Sequence, residues 1–366
     1  MQLRSRGRLS ASFNPVRSPN RSCSQSDGRS PAAAVREAAA SESSLPSVDV
    51  VIPMRNGRST VFATLDSVLN QTRPPQNIFV VDDGSTDGSG SLVRARHLPT
   101  VVVIETPPRG VSHARNVGIA ASRADFIAFL DCDDLWAPDK LERQLEVFVR
   151  RPDVAVVSCG SMSLDIRHNP IAGTTYSPSL RGRVFKGILR QGFIRGGLSS
   201  NAVIRRSALL EIGCFDETIS FGEDCDLWLR LARNHVFDYC PAALAYIVEN
   251  PASVGRRPTT PACREEYFLQ TLTCLEKWVD DRATIRWILL FAARSILAYA
   301  LRQRLTLQGL ATLRKSIVSR VPVLGARIAR TRIRLIAAMA VAAVVYSPSH
   351  CSTWTQRRRR LLSMKQ

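Results

Sequence analysis

This chain of 366 residues lacks several common features, and each gap narrows what it can be. It has nine cysteines, an odd number, and no two are at C-x-x-C spacing. That argues against a disulfide framework or a zinc site and leads us to expect a reducing, cytoplasmic setting. No stretch reaches the ~20 apolar residues that a spanning helix needs. Trp287–Ala293 and Leu335–Tyr346 both fall short. The first residues carry positive charge but no apolar h-region, so no secretory signal is read there. Residues 282–366 contain no Asp or Glu at all.

That last gap reflects an uneven charge distribution. Of the net +19, residues 282–366 hold 17 basic residues and no acidic ones, a net of +17. Residues 47–281 hold 26 basic and 28 acidic residues, the near-neutral balance of a globular domain. Residues 1–46, with 7 basic and 3 acidic residues, are rich in Ser, Arg, Pro and Ala and show no apolar period. They read as a disordered segment. Within 282–346, Ile317, Val321, Leu324 and Ile328 recur at helical spacing beside Arg320, Arg327, Arg330 and Arg334, and Pro322 breaks the run. This basic, amphipathic helical region suits an anionic membrane surface, which would make the protein peripheral on the cytoplasmic face. A helical lid packed on the domain is the alternative. Residues 347–366 form a basic flexible tail. No basic motif interleaved with aromatics is present, so nucleic acid is not an expected partner.

The middle segment alternates strand and helix patterns. Val48–Pro53, Asn77–Val81, Thr100–Ile104, Ala124–Leu130 and Val154–Val157 read as strands. Helical spacing covers Ser59–Asn70, Ser89–His97, Val111–Ser122 and Pro138 to about Arg150. The fold class is therefore α/β, with a mainly parallel, doubly wound sheet flanked by helices. Ligands of such sheets bind at the carboxyl ends of the strands. Two acidic clusters, Asp82/Asp83 and Asp131/Asp133, fall at strand ends and suit a nucleoside diphosphate with a metal ion. If the strand runs through to Asp133, the two-residue period aims Asp131 and Asp133 at one point. Hard cations such as Mg²⁺ or Mn²⁺ accept such oxygen ligands and share themselves with substrate phosphates. Asp49, inside its strand, reads as an edge or solvent-facing position.

Five stretches carry a resemblance: VDVVIPMRNG (48–57), VVDDGSTDGS (80–89), GVSHARNVGIAAS (110–122), FLDCDDLW (129–136) and GEDCDLWLRLAR (222–233). In this order and spacing they resemble the inverting, nucleotide-sugar-dependent glycosyltransferases of family 2, which have the GT-A fold. The resemblance makes 47–281 the catalytic domain and implies roles within it. Pro53, Arg55 and Asn56 would line the nucleotide pocket. Asp83 or Asp82 would accept a hydrogen bond from the base imide, as uracil offers, and Arg115 would lie near the diphosphate. Asp131 and Asp133 would hold the divalent metal. Asp224 would be the general base, with Glu223 the alternative. Trp228 and Gly196–Ser200 would shape the acceptor side. A UDP-sugar donor and a saccharide or lipid-linked acceptor of a bacterial cell envelope would follow.

The match has departures. Arg55 stands where the family often has an aromatic, and Arg58 where an acid is common. No Q-x-x-R-W motif occurs, which favours transfer of a single sugar over polymerisation. The alternatives are a nucleotidyltransferase-like enzyme or a catalytically inactive sugar-nucleotide-binding protein of the same fold.

Overall fold

A computed structural model describes residues 46–191, 198–220, 222–249, 269, 272–277, 288, 292 and 307–322. The expected disordered segment 1–46 (apart from Pro46), Gly196 and Gly197, Leu324, Ile328 and the flexible tail lie outside them. The described residues, all from Pro46 onward, belong to one compact unit.

The first half winds as its alternation predicts. In chain order come β1 (Val48–Met54), α1 (Val61–Leu69), β2 (Ile78–Asp83), α2 (Ser89–Ala95), β3 (Val101–Thr106), α3 (Val111–Ala121) and β4 (Phe126–Phe129). Strands β3, β2, β1 and β4 lie side by side and parallel. Next come β5 (Leu135–Trp136), α4 (Lys140–Arg150), β6 (Val154–Leu164), α5 (Phe185–Gln191), α6 (Leu198–Asn201), β7 (Ala202–Arg205), α7 (Arg206–Glu211), α8 (Glu223–Asn234) and β8 (Val236–Val248). Here β7 runs antiparallel between β4 and β6, and β5 antiparallel beside β8, so the eight-stranded sheet is mainly parallel at one side and mixed at the other. α9 (Leu307–Arg320) is the last described element.

Strand side chains alternate between two cores, as a two-residue period requires. Val51, Phe79, Val81, Ile127 and Phe129 face α3 and α8. Val50, Ile52, Ile78, Val80 and Ala128 face α1, α2 and α4. Strands β1, β2 and β4 are buried on both faces, which is why they read as continuous apolar runs. Pro53 sits inside central β1 at no cost. Pairing with β4 stops at Val51, so the missing N–H forfeits no ladder bond. Gly118 lets α3 close onto β1, where a Cβ would collide with Val51.

Three expectations need correction. Asp49 is not at an edge, because β1 is central and Asp49 is fully buried. It accepts hydrogen bonds from Asn77 N (2.9 Å), Asn77 Nδ2 (3.1 Å) and Ser122 Oγ (2.5 Å), tying two strand ends to α3. Ile317 and Val321 do not form a membrane-facing stripe. Both are buried in the same core as Trp228, with Leu272, Leu275, Ile288, Ala292 and Leu313. Their apolar surface finds a partner within the fold. Trp228 does not line an acceptor face either. It is buried and packs edge-on against Phe237, ring centroids 5.8 Å apart. No described helix is long and apolar enough to cross a membrane.

One buried charge stands out. Lys140 opens α4 with no solvent exposure, and its Nζ has no hydrogen-bond partner among the described residues. The ammonium lies 3.8 Å from the centre of the Trp136 ring. Burial pulls its pKa down to about 8, against the opposing influence of Cys159 and Cys240. A lowered pKa in the folded state means that the charged form opposes folding, most strongly below pH 8. We expect Lys140→Met to raise the unfolding free energy by on the order of 1–3 kcal/mol at pH 7. The gain should shrink as pH rises toward 10. Urea unfolding at the two pH values measures it. A less stable variant at pH 7 would show that the contact with Trp136 outweighs the cost of burial.

Candidate active site

The carboxyl ends of β1, β2 and β4 converge on one rim, and the loops beyond them carry the predicted residues. Asn56 takes a left-handed conformation (φ 56°), which Asn tolerates better than most residues. Its side chain accepts from Thr86 N at 2.8 Å, and its own N–H donates to Ser85 Oγ at 2.9 Å. The β1 and β2 loops are thereby joined. Asp82 is buried, accepts from Ser85 N at 2.8 Å, and presses against Gly90 so closely that a Cβ there would clash. Asp82 is thus committed to its own turn. Asp83 accepts from Arg109 N (2.7 Å) and Gly110 N (3.0 Å) at the start of α3. The exposed Arg55 guanidinium approaches its Oδ2 at 3.9 Å. Of the two acids, Asp83 faces the rim's charged groups.

The metal motif differs in form from the expectation. β4 ends at Phe129, and residues 131–134 make a turn closed by Asp134 N to Asp131 O at 3.0 Å. Strand alternation therefore does not place Asp131 and Asp133; the turn does. Asp131 Oδ1 accepts from Arg115 Nη2 at 2.9 Å and Oδ2 from Ser199 Oγ at 3.0 Å. Asp134, the third acid, is buried under Ser200 Oγ (2.6 Å) and Val248 N (3.1 Å). Burial, and then the charges of Asp131 and Asp133, hold its carboxyl well above the ordinary range. The same causes push the Cys132 thiol up to about 12. The turn thus concentrates negative charge. Among the described residues no group of three or more His, Cys, Asp or Glu could hold a metal by itself. Two turn carboxylates fit a hard cation that takes its other ligands from phosphate and water, not an all-protein cage.

Arg115 links the two halves of the site. It is buried on α3, donates from Nη1 to Glu223 Oε1 at 2.8 Å and from Nη2 to Asp131, and lies 5.2 Å from the Phe215 ring centre. Burial opposes its charge, but Asp131 and Glu223 outweigh burial and raise its pKa. Its Nε is buried without a partner among the described residues, leaving one N–H unspent.

Glu223 and Asp224 open α8 behind Gly222, a left-handed N-cap (φ 78°). Glu223 is taken up by Arg115. Asp224 accepts from Cys225 N at 2.7 Å and is only half-buried at its surface. Burial, then the Glu223 charge, pushes its carboxyl up to about 6, against the pull of Arg115. Asp226, fully buried, is held by Arg230 Nε (2.7 Å) and Lys277 Nζ (2.8 Å). Of these three acids, Glu223 is bound by Arg115 and Asp226 by Arg230 and Lys277, whereas Asp224 accepts a backbone N–H.

The sequence reading missed Phe215 and Lys277, which carry no motif. It singled out Ser199 and Ser200 for the acceptor side. They brace the acidic turn, helped by Trp136 Nε1 donating to Ser200 O at 2.6 Å.

Residues 49–213 match the model of Glycosyl transferase family 2. The chain carries a family 2 glycosyltransferase domain. It is 36% identical over 202 residues to the pre-mycofactocin glycosyltransferase of Mycobacterium tuberculosis (strain ATCC 25618 / H37Rv), covering 54% of this chain and 42% of that protein. It is 36% identical over 111 residues to the putative teichuronic acid biosynthesis glycosyltransferase TuaG of Bacillus subtilis (strain 168), covering 29% and 43%. The chain thus spans less than half the length of these relatives. Among solved structures, residues 1–349 of S. aureus TarS in complex with UDP-GlcNAc share the fold, with a TM-score of 0.57 and 15% identity, covering 77% of this chain and 83% of that one.

Proposed function

We propose that the protein transfers a sugar from a nucleoside-diphosphate sugar to a hydroxyl acceptor with inversion at the anomeric carbon. The observation that carries this reading is Arg115 joining Asp131 of the turn to Glu223 of α8, which brings the acidic turn and the helix bearing Asp224 to one place. Asp83, fixed by the Arg109 and Gly110 amides, is the acceptor for a base imide N–H, and the Arg55 guanidinium lies 3.9 Å from it. Asn56 joins the β1 and β2 loops, and with Pro53 at the end of β1 would line the nucleotide pocket. The Arg115 guanidinium, held beside the acidic turn through Asp131, brings a positive charge that suits a diphosphate. Asp131 and Asp133 would hold Mn²⁺ or Mg²⁺, which when bound offsets charge developing on the leaving diphosphate. Asp224 takes the proton from the acceptor hydroxyl. The acceptor oxygen bonds to the anomeric carbon as the bond from that carbon to the phosphate oxygen breaks.

TarS was solved with UDP-GlcNAc, which supports a UDP-sugar as donor. TuaG is named for teichuronic acid biosynthesis, which supports a cell-envelope saccharide as acceptor. Nucleotide release from a panel of UDP-, dTDP- and GDP-sugars, with Mn²⁺ or with chelator, tests the reading. Release should occur with UDP-sugars and should fall at least tenfold in chelator. Release at full rate in chelator would remove the metal's role. No release from any donor would remove the activity.

A further inference from the structure

Lys277 lies beyond the family match, yet it touches the helix that carries the proposed base. Its Nζ donates to Asp226 Oδ1 and to Asp216 Oδ2, both at 2.8 Å. Asp226 is fully buried in the first turn of α8, two residues after Asp224. Asp216 belongs to a loop that packs on α3. In that loop Phe215 N donates to Asn116 Oδ1 (2.9 Å), Asn116 Nδ2 donates back to Phe215 O (3.0 Å), and the Phe215 ring meets Arg115. Three residues before Lys277, the buried Cys274 thiol faces Gly222 O at 3.9 Å, on the left-handed residue that starts α8. Leu272 and Leu275 beside it are fully buried in the core that also holds Trp228.

Arg115 ties α3 to α8 through Glu223, at the residue before Asp224. Lys277 supplies the second tie, from α3 through the 215–218 loop to Asp226. Two ties on one turn fix its direction, and with it the Asp224 carboxylate. We propose that Lys277 is a positioning residue for Asp224, resting on the reading of Asp224 as the base. A misplacement of about 1 Å at a reacting group can cost about a hundredfold in rate, so the tie has kinetic consequences. Lys277 bonds Asp216 and Asp226, not Asp83 or Asp131 of the donor half, so the larger effect of its loss falls on kcat.

The test uses the full-length protein and nucleotide release in the presence of acceptor. Lys277→Met should lower kcat at least tenfold with the donor KM within twofold of wild type, and Lys277→Arg should restore at least half of kcat. Asp216→Asn should give a partial loss. Its amide oxygen would keep the Thr218 bonds that Asp216 Oδ1 makes, turning an NH₂ group toward Lys277. Unchanged kcat in Lys277→Met would overturn the proposal, as would a loss shared equally by kcat and KM, or one that Arg does not rescue. If Lys277→Met does not fold, Asp216→Asn decides, and wild-type kcat there overturns it. Asp224→Asn run alongside separates the two readings: wild-type turnover in that variant removes the base assignment, whatever the Lys277 variants do.

Discussion

Asp224→Asn should lose sugar transfer by a factor of roughly 10²–10⁴, the usual contribution of a general base, and keep its affinity for nucleotide. Asn preserves the shape and the bond from Cys225 N, but it cannot take a proton. The wild-type pH profile follows from the same carboxyl. Its pKa of about 6 lies above the ordinary 3.8, first because of burial and then because of Glu223. The base works ionised, so kcat should climb as pH rises through about 6 and level off above it. Stability moves the other way. A carboxyl with a raised folded-state pKa opposes folding when ionised, so its penalty is relieved as pH falls from about 6 toward 4. Asp224→Asn carries no charge at pH 7 and should therefore unfold no more easily than wild type. Loss of turnover together with loss of stability would point to a structural role for Asp224.

The second large effect is expected at Arg115. Arg115→Met leaves Asp131 and Glu223 facing each other without their shared cation. Breaking a buried pair by removing one partner costs about 3–5 kcal/mol. The Glu223 side chain is 14% exposed but that of Asp131 is 36% exposed, so water relieves part of the cost and the lower end, about 3 kcal/mol, is expected. Arg115→Lys should recover little, because one ammonium cannot reproduce the planar fork that reaches two carboxylates in different directions. Urea midpoints and nucleotide affinity measure both variants. If Arg115→Met matched wild type in stability and affinity, Arg115 would not be the link between the two halves of the site.

The winding of β1 to β4 was legible because each strand is an apolar run followed closely by turn-forming Asn, Asp, Gly or Pro, and apolar residues recur at helical spacing between them. The mixed half was not. β7 is four residues long and antiparallel, and nothing in AVIR marks its direction. The site was legible where chemistry is written locally: Asp83, Arg115, Asp131 and the Glu223/Asp224 pair. What could not be read was which acid of each cluster is spent on structure. Asp82 is taken by its own turn, Asp134 by Ser200 and Val248, and Asp226 by Lys277 and Arg230. Those partners lie up to 114 residues away in the chain, so only the fold selects among neighbouring carboxylates. Asp49 was misread for the same reason, since its partners are on β2 and after α3. Ile317 and Val321 were apolar in pattern, but a helical stripe does not say whether protein or lipid covers it.

The proposed single displacement, with Asp224 as base on the face opposite the leaving diphosphate, makes a stereochemical statement that no binding assay can imitate. Proton NMR of the product formed from an α-linked UDP-sugar reads the anomeric configuration directly. The β-anomer is predicted as the first-formed product; an α-linked product would contradict attack from the face that Asp224 serves.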